Sequence, residues 1–209
     1  MKEKPSAPLR LRVSALNPSA FVGLILAGGE GKRFGGPKAF AELGDGRTFL
    51  EECYATFRGA GAERVVATLP PGAEDPGFEG LDAINLSESG LDMFASVRTG
   101  LALLIDYPGW ETVAVLPVDH PLVKPESVRA LAESGHPAAI PSFRGKHGHP
   151  ICFHRAIADA VVDGSQPGPT LREVLRAAGA VDVEVDDPGV VANCNTPEAL
   201  AAALEMPRK

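Results

Sequence analysis

The chain has 209 residues and a formal net charge of −7 at pH 7, with 44% hydrophobic and 22% charged residues. At roughly 150 residues per domain, this length fits one large domain that can bury a sizeable core. The composition excludes disordered, collagen-like and coiled-coil classes, and three scattered cysteines exclude a disulfide framework. The negative charge argues against a broad nucleic-acid-binding surface, and no apolar run reaches the ~18 residues of a membrane span.

The first 19 residues mix basic residues with prolines and show no helical or strand periodicity. They also lack the apolar stretch of a signal peptide. We therefore expect an N-terminal tail over residues 1–19, a single domain over residues 20–205, and a cytoplasmic protein.

Beyond the tail, short apolar runs alternate with helix-length periodic segments. The predicted strands are 22–27, 64–69, 81–86, 112–116, 137–140 and 181–185. Most are apolar at successive positions, which is typical of strands covered on both faces. Strands that alternate with helices predict right-handed βαβ units and therefore a single-domain α/β fold with a doubly wound, mostly parallel sheet.

Several helices have recognisable beginnings. Thr48 and Glu51 have the spacing of a capping box, and Pro125 and Pro197 each suit a first helical position. Apolar residues spaced by three and four positions between residues 94 and 104 predict another helix with one buried face.

The first predicted strand leads directly into a glycine-rich loop, which reads Gly-Gly-Glu-Gly-Lys-Arg-Phe-Gly-Gly-Pro-Lys over residues 28–38. Glycines let backbone N–H groups approach phosphate oxygens, and Arg33 and Lys38 supply positive charge. Open α/β sheets bind ligands at the carboxyl ends of their strands, so we expect a phosphate site here rather than a flexible turn with solvated basic side chains. The order of glycines does not match the dinucleotide fingerprint, and Ala39 stands where a Walker A loop needs a hydroxyl.

Polar residues that could complete such a site follow later strands. Asp119 comes after strand 112–116 and should project at the same sheet edge, where a carboxylate can hold magnesium together with a triphosphate; a surface turn is the alternative. Asn85 and Ser96 are candidates for base and ribose contacts. Asn193 and Asn195 share the spacing that places both amides on one side of a strand, although Asn193 could instead cap the following helix.

Three histidines and a cysteine fall between residues 147 and 154. A zinc site is disfavoured, because the pleat of a strand would send Cys152 and His154 in different directions and no second Cys-x-x-Cys-like pair exists. We interpret the three cysteines as structural residues.

Taken together, these motifs resemble those of nucleotidyltransferases of the molybdenum cofactor guanylyltransferase and cytidylyltransferase type, the MobA-like NTP transferases. The matching segments, in the family's order, are 26–38, 95–101, 116–121, 148–150 and 193–198. The resemblance implies a Rossmann-like topology of the nucleotide-diphospho-sugar transferase type. Asn at positions 193 and 195 is more typical of guanylyltransferases, whereas Gly148-His149-Pro150 and the region of Ser96 resemble cytidylyltransferases.

The resemblance implies magnesium-dependent transfer of a nucleoside monophosphate from GTP or CTP to a molybdopterin-like phosphate, with release of pyrophosphate. It also implies that Asn195 lies near the metal held by Asp119 and that His149 helps to bind the acceptor. The catalytic candidates are Arg33, Lys38 and Asp119. The candidates for nucleotide binding are Leu26, Ala27, Gly28, Gly29, Gly31, Arg33, Lys38, Asn85 and Ser96. A molybdoenzyme or a cofactor chaperone is the expected protein partner, and neither nucleic acid nor a membrane is expected.

Two other functions remain open at this point. Related folds serve sugar-phosphate and alcohol-phosphate acceptors. The two asparagines, where some relatives have Asp, also motivate a non-catalytic nucleotide-binding regulatory protein of the same fold.

Overall fold

A computed structural model describes residues 20–31, 34–44 and 46–205. The expected tail over residues 1–19 lies outside the described residues. The strands are β1 Phe21–Leu26, β2 Arg64–Leu69, β3 Leu81–Asn85, β4 Thr112–Pro117, β5 Ala138–Phe143, β6 Lys146–His147, β7 Ile151–His154 and β8 Val181–Glu184. The helices are α1 Phe49–Ala60, α2 Met93–Ile105, α3 Pro125–Ala132, α4 Arg155–Asp163, α5 Leu171–Ala177 and α6 Pro197–Leu204.

All of these strands join one sheet in the order β3-β2-β1-β4-β7-β5-β6, and β8 pairs with β5. The strands β3, β2, β1 and β4 run parallel to one another, and β8 runs parallel to β5. β7 lies antiparallel between β4 and β5. The strand order reverses between β1 and β4, and such a switch point is where doubly wound folds bind ligands.

Apolar clusters cover both faces of the sheet. Side chains of α1, α3 and α6 belong to one cluster, and side chains of α2, α4 and α5 belong to the other. Along β1, Phe21 and Ile25 join the first cluster while Val22 and Leu24 join the second, as the alternation of a strand requires. The central strands are therefore buried on both sides, and the predicted doubly wound architecture is confirmed.

The predicted helix beginnings are also confirmed. The Thr48 hydroxyl accepts the Glu51 amide at 3.2 Å, and the Glu51 carboxylate accepts the Thr48 amide at 2.6 Å. Pro125 and Pro197 stand in the first turns of α3 and α6. In the part of the chain that the structure describes, no helix combines the length and the apolarity needed to cross a bilayer.

Four features differ from the sequence-based expectation. The fifth strand is longer than predicted, and β6 and α4 were not predicted at all. The segment 192–195 is not a strand, so the pleat argument for placing Asn193 and Asn195 on one side was wrong. Asn193 is exposed, whereas Asn195 is half-buried.

Candidate active site

The sheet order brings the carboxyl ends of β1 and β4 together. Leu26 pairs with Pro117 at these ends, and the loops that follow open onto a cleft of about 480 Å³. The cleft is lined by Leu26, Gly28, Gly29, Glu30, Gly31, Lys38, Gly90, Leu91, Met93, Ser96, Pro117, Val118, Asp119 and Asn195. The structure thus gathers, around one cavity, predicted residues that are as much as 169 positions apart in the sequence.

The glycine loop forms one wall of the cleft, and the need for glycine differs from one position of the loop to another. A Cβ at Gly28 would lie 2.2 Å from Leu86 Cδ1, and Gly31 has φ +60° with its hypothetical Cβ 1.9 Å from the Gly36 carbonyl oxygen. A Cβ at Gly29, by contrast, would meet no atom within 4 Å. Within the described residues, neither Gly28 nor Gly29 donates its amide to a backbone carbonyl. These two amides are therefore available to a ligand with acceptor oxygens.

Three polar side chains converge at the floor of the cleft. Lys38 follows Pro37 in a short 3-10 turn, and its Nζ donates to Asp119 Oδ2 at 3.3 Å and to Asn195 Oδ1. The Lys38 and Asp119 side chains are only 17% and 19% exposed. The backbone carbonyl of Asp119 also accepts the Cys194 amide at 2.8 Å, which fixes the 190s loop against the end of β4.

The remaining predicted nucleotide contacts are placed differently. Ser96 lines the cleft from the first turn of α2, where its hydroxyl donates to the Asp92 carbonyl at 3.2 Å. Ala27 is fully buried below the loop. Asn85 is exposed at the end of β3, outside the cleft lining, and its amide donates to the Ala73 carbonyl at 2.9 Å. Arg33 lies outside the described residues.

Next to the cleft, His149 lies against a second histidine, His120. Their ring centroids are 4.8 Å apart at an interplanar angle of 60°, an edge-to-face arrangement. Burial, together with the neighbouring His120, lowers the pKa of His149 to about 4, although Asp119 partly opposes the shift. Burial also lowers the pKa of His120. Both imidazoles are therefore neutral at pH 7.

The donor set at the cleft floor fits a magnesium ion. Asp119 and Asn195 offer a carboxylate and a carboxamide oxygen, and both oxygens already converge on one cation, the Lys38 ammonium. Mg²⁺ binds hard oxygens and keeps several waters, so two protein oxygens suffice when substrate phosphates contribute the others.

None of the three cysteines has the character of a nucleophile. Burial raises the pKa of Cys194 to about 11 and raises the pKa of Cys53 and Cys152 well above the ordinary value. Their interpretation as structural residues agrees with these environments.

Four residues at or beside the cleft were not predicted as site residues from the sequence: His120, Glu30, Leu91 and Met93. Met93 is 56% exposed beside the cleft, which is unusual for a large apolar side chain. Glu30 could have been found from its place inside the glycine loop, and His120 from its position directly after Asp119.

The fold and the site define a class of protein: an α/β domain with a phosphate-type glycine loop and an acidic residue facing each other at the switch point of the sheet. A family profile described as MobA-like NTP transferase domain matches residues 23–183. The chain belongs to this family and is a nucleotidyltransferase.

Individual relatives agree with this assignment. A molybdenum cofactor guanylyltransferase of Rhodobacter capsulatus is 32% identical over 192 residues, which cover 90% of this chain and 96% of the relative. One from Xanthomonas euvesicatoria pv. vesicatoria (strain 85-10) is 28% identical and covers 85% and 91%. Among solved structures, 2-C-methyl-D-erythritol 4-phosphate cytidylyltransferase from Thermus thermophilus is 26% identical with a TM-score of 0.64, covering 87% of this chain and 96% of that one.

Proposed function

We propose that this nucleotidyltransferase moves GMP from GTP to the phosphate of molybdopterin and releases pyrophosphate. The observation that carries the proposal is the convergence of Lys38, Asp119 and Asn195 opposite the free amides of the glycine loop. The names of the curated relatives support guanylyl transfer and this acceptor. The asparagines at positions 193 and 195, which are more typical of guanylyltransferases, also favour guanine as the base.

The reaction needs positioning and charge neutralisation more than acid–base chemistry. An oxygen of the acceptor phosphate attacks the α-phosphorus of GTP. The bond between that phosphorus and the α,β-bridging oxygen breaks, and pyrophosphate leaves. Charge builds on the α-phosphoryl oxygens and on the leaving group as this happens, and preorganised donors stabilise it. Lys38 and the amides of Gly28 and Gly29 supply such donors, and Arg33 adds a second cation from the same loop.

Asp119 and Asn195 are the residues that would hold Mg²⁺. When bound, the ion would neutralise triphosphate charge and orient the α-phosphoryl group. Lys38 exchanges its contacts with Asp119 and Asn195 for phosphate oxygens in this proposal, because its flexible stem can carry the ammonium the short distance into the cleft.

His149 is the residue that we propose for binding the acceptor. It lies beside His120, which directly follows Asp119, and it is half-buried. A neutral imidazole can donate a hydrogen bond to an acceptor phosphate without an ionised side chain. The proposal also includes a cytoplasmic site of action and transfer of the product to a molybdoenzyme or a cofactor chaperone.

The proposal is tested by pyrophosphate release from the full-length protein with Mg²⁺, each of GTP, CTP, ATP and UTP, and molybdopterin, a sugar phosphate or an alcohol phosphate as the acceptor. Release with GTP above all others is the expected result. Preference for CTP would overturn the assignment of the base, and release only with a sugar phosphate or an alcohol phosphate would overturn the acceptor. GTP–Mg²⁺ that raises Tm without any turnover on these acceptors would favour a regulatory nucleotide-binding protein.

A further inference from the structure

Two histidines from distant parts of the chain meet because of one strand pairing. β4 and β7 are antiparallel neighbours, and Val115 pairs with Ile151. The residues just after β4 therefore lie beside those just before β7. This places the ring of His120 edge-to-face against the ring of His149.

The pair is enclosed by tightly packed backbone. The His149 amide donates to the Val190 carbonyl at 2.8 Å, and a Cβ at Gly148 would lie 2.0 Å from the same carbonyl oxygen. A Cβ at Gly189 would lie 2.1 Å from the Leu122 carbonyl oxygen. The loops that contain Leu122, Gly148 and Gly189 are therefore packed backbone against backbone beside the two rings. This packing leaves the His120 ring little room to change its rotamer.

The two histidines differ in exposure. His120 is 5% exposed, whereas His149 is half-buried. Among the described residues, the Nδ1 atoms of both rings are buried without a hydrogen-bond partner, so no side-chain hydrogen bond at Nδ1 fixes the orientation of His149. The edge-to-face contact with the His120 ring is therefore one contact that can hold the His149 ring in its orientation.

We propose that His120 is a positioning residue for the acceptor site: its buried ring holds His149 in the orientation that binds the phosphate monoester of the acceptor. This inference rests on the proposed acceptor role of His149. His120 is only 5% exposed, so its ring offers almost no surface to a substrate. Its contribution is to the affinity for the acceptor and not to the affinity for the nucleotide.

The test compares His120→Ala, which removes the ring, with His120→Phe, which keeps an aromatic ring of similar size. The acceptor KM, measured with molybdopterin at saturating GTP–Mg²⁺, should rise about fivefold to tenfold in His120→Ala, since an edge-to-face pair is of that strength. The KM for GTP should stay within about twofold, and His120→Phe should restore the acceptor KM. His147→Ala, at an exposed histidine on β6, is the matched control and should leave both values unchanged.

A double-variant comparison tests whether His120 acts through His149. Once His149→Ala has been introduced, adding His120→Ala should raise the acceptor KM no further. A further rise would overturn the proposal, because His120 would then act independently. Equal increases in the KM values for acceptor and GTP would also overturn it, since they indicate general damage to the fold.

A measurement without turnover separates this inference from the proposed function. In protein labelled with ¹³C at histidine, the His149 ring should give one sharp set of signals in wild type and His120→Phe and broadened or doubled signals in His120→Ala. Sharp single signals in His120→Ala would refute the positioning role whatever substrate the enzyme uses. If wild type turns over no phosphorylated acceptor while the signals change as expected, the proposed function fails and the positioning of His149 stands.

Discussion

Replacing Gly31 with alanine tests whether the shape of the glycine loop places Lys38 for catalysis. Gly31 has φ +60°, where an L-residue costs roughly 1–2 kcal/mol relative to glycine. The added Cβ would also lie 1.9 Å from the Gly36 carbonyl oxygen and 2.8 Å from the Lys38 backbone nitrogen. Relief of the first overlap requires a shift of about 1 Å in the segment that carries Lys38.

A displacement of that size at a reacting centre can lower the rate about 100-fold, equivalent to ~2.7 kcal/mol in activation free energy. We therefore expect Gly31→Ala to lose about two orders of magnitude in kcat for pyrophosphate release. The free energy of unfolding should fall by about 2 kcal/mol, because the loop gives way while both core clusters remain packed. Urea unfolding and steady-state kinetics on the same preparation measure the two effects.

Gly36→Ala is the matched control. It lies in the same loop without a positive φ, and its Cβ would meet no atom within 4 Å. It should keep at least half of the wild-type rate. A Gly31→Ala variant with wild-type kcat would refute the argument, since the position of Lys38 would then not depend on the conformation of Gly31.

Three further predictions concern side chains of the site. Asn195→Asp should stay active, because it keeps an oxygen at the same reach, whereas Asn195→Leu should lose turnover with little change in Tm; a fully active Leu variant would remove Asn195 from the site. Lys38→Ala should lower kcat by an amount that corresponds to at most ~3 kcal/mol in activation free energy, and its effect on GTP affinity should be smaller. Weaker GTP binding with unchanged kcat would show that Lys38 contributes to ground-state binding only. The pKa of His149 is about 4 in the folded protein and 6.5 in the unfolded chain, so protonation of the unfolded chain favours unfolding at low pH. His149 therefore makes its full contribution to the free energy of unfolding above pH 6.5 and loses it as the pH falls toward 4. His149→Gln should remove roughly 2–3 kcal/mol of the loss in unfolding free energy between pH 7 and pH 4.5, while exposed His136→Gln should not; equal pH dependence in the two variants would contradict the lowered pKa.

Local signals were sufficient to predict much of this fold. Continuous apolar runs identified β1, β2 and β4, and the capping box at Thr48 located the beginning of α1 within the sequence itself. The glycine loop and Asp119 were predictable as neighbours because parallel strands of one sheet end at the same edge.

The features that were missed depend on tertiary contacts. α4 begins at Arg155 behind His154, which makes no side-chain cap, so no local signal marks its start. The antiparallel insertion of β7 beside β4 is set by burial in the completed sheet and not by the four residues of the strand. Since only that insertion brings His149 to His120, the histidine pair could not be predicted from spacing.

The central claim is that the cleft between the ends of β1 and β4 is where nucleotidyl transfer takes place. The most direct measurement is transfer of label from α-³²P-GTP to molybdopterin by Asp119→Asn at saturating Mg²⁺, with Asp182→Asn on the exposed edge strand β8 as control. Asp119→Asn should keep the wild-type Tm and lose more than nine-tenths of the rate, which corresponds to more than ~1.4 kcal/mol in activation free energy, while Asp182→Asn should transfer label at the wild-type rate. An Asp119→Asn variant that retains more than about a tenth of the rate would contradict the assignment of the site.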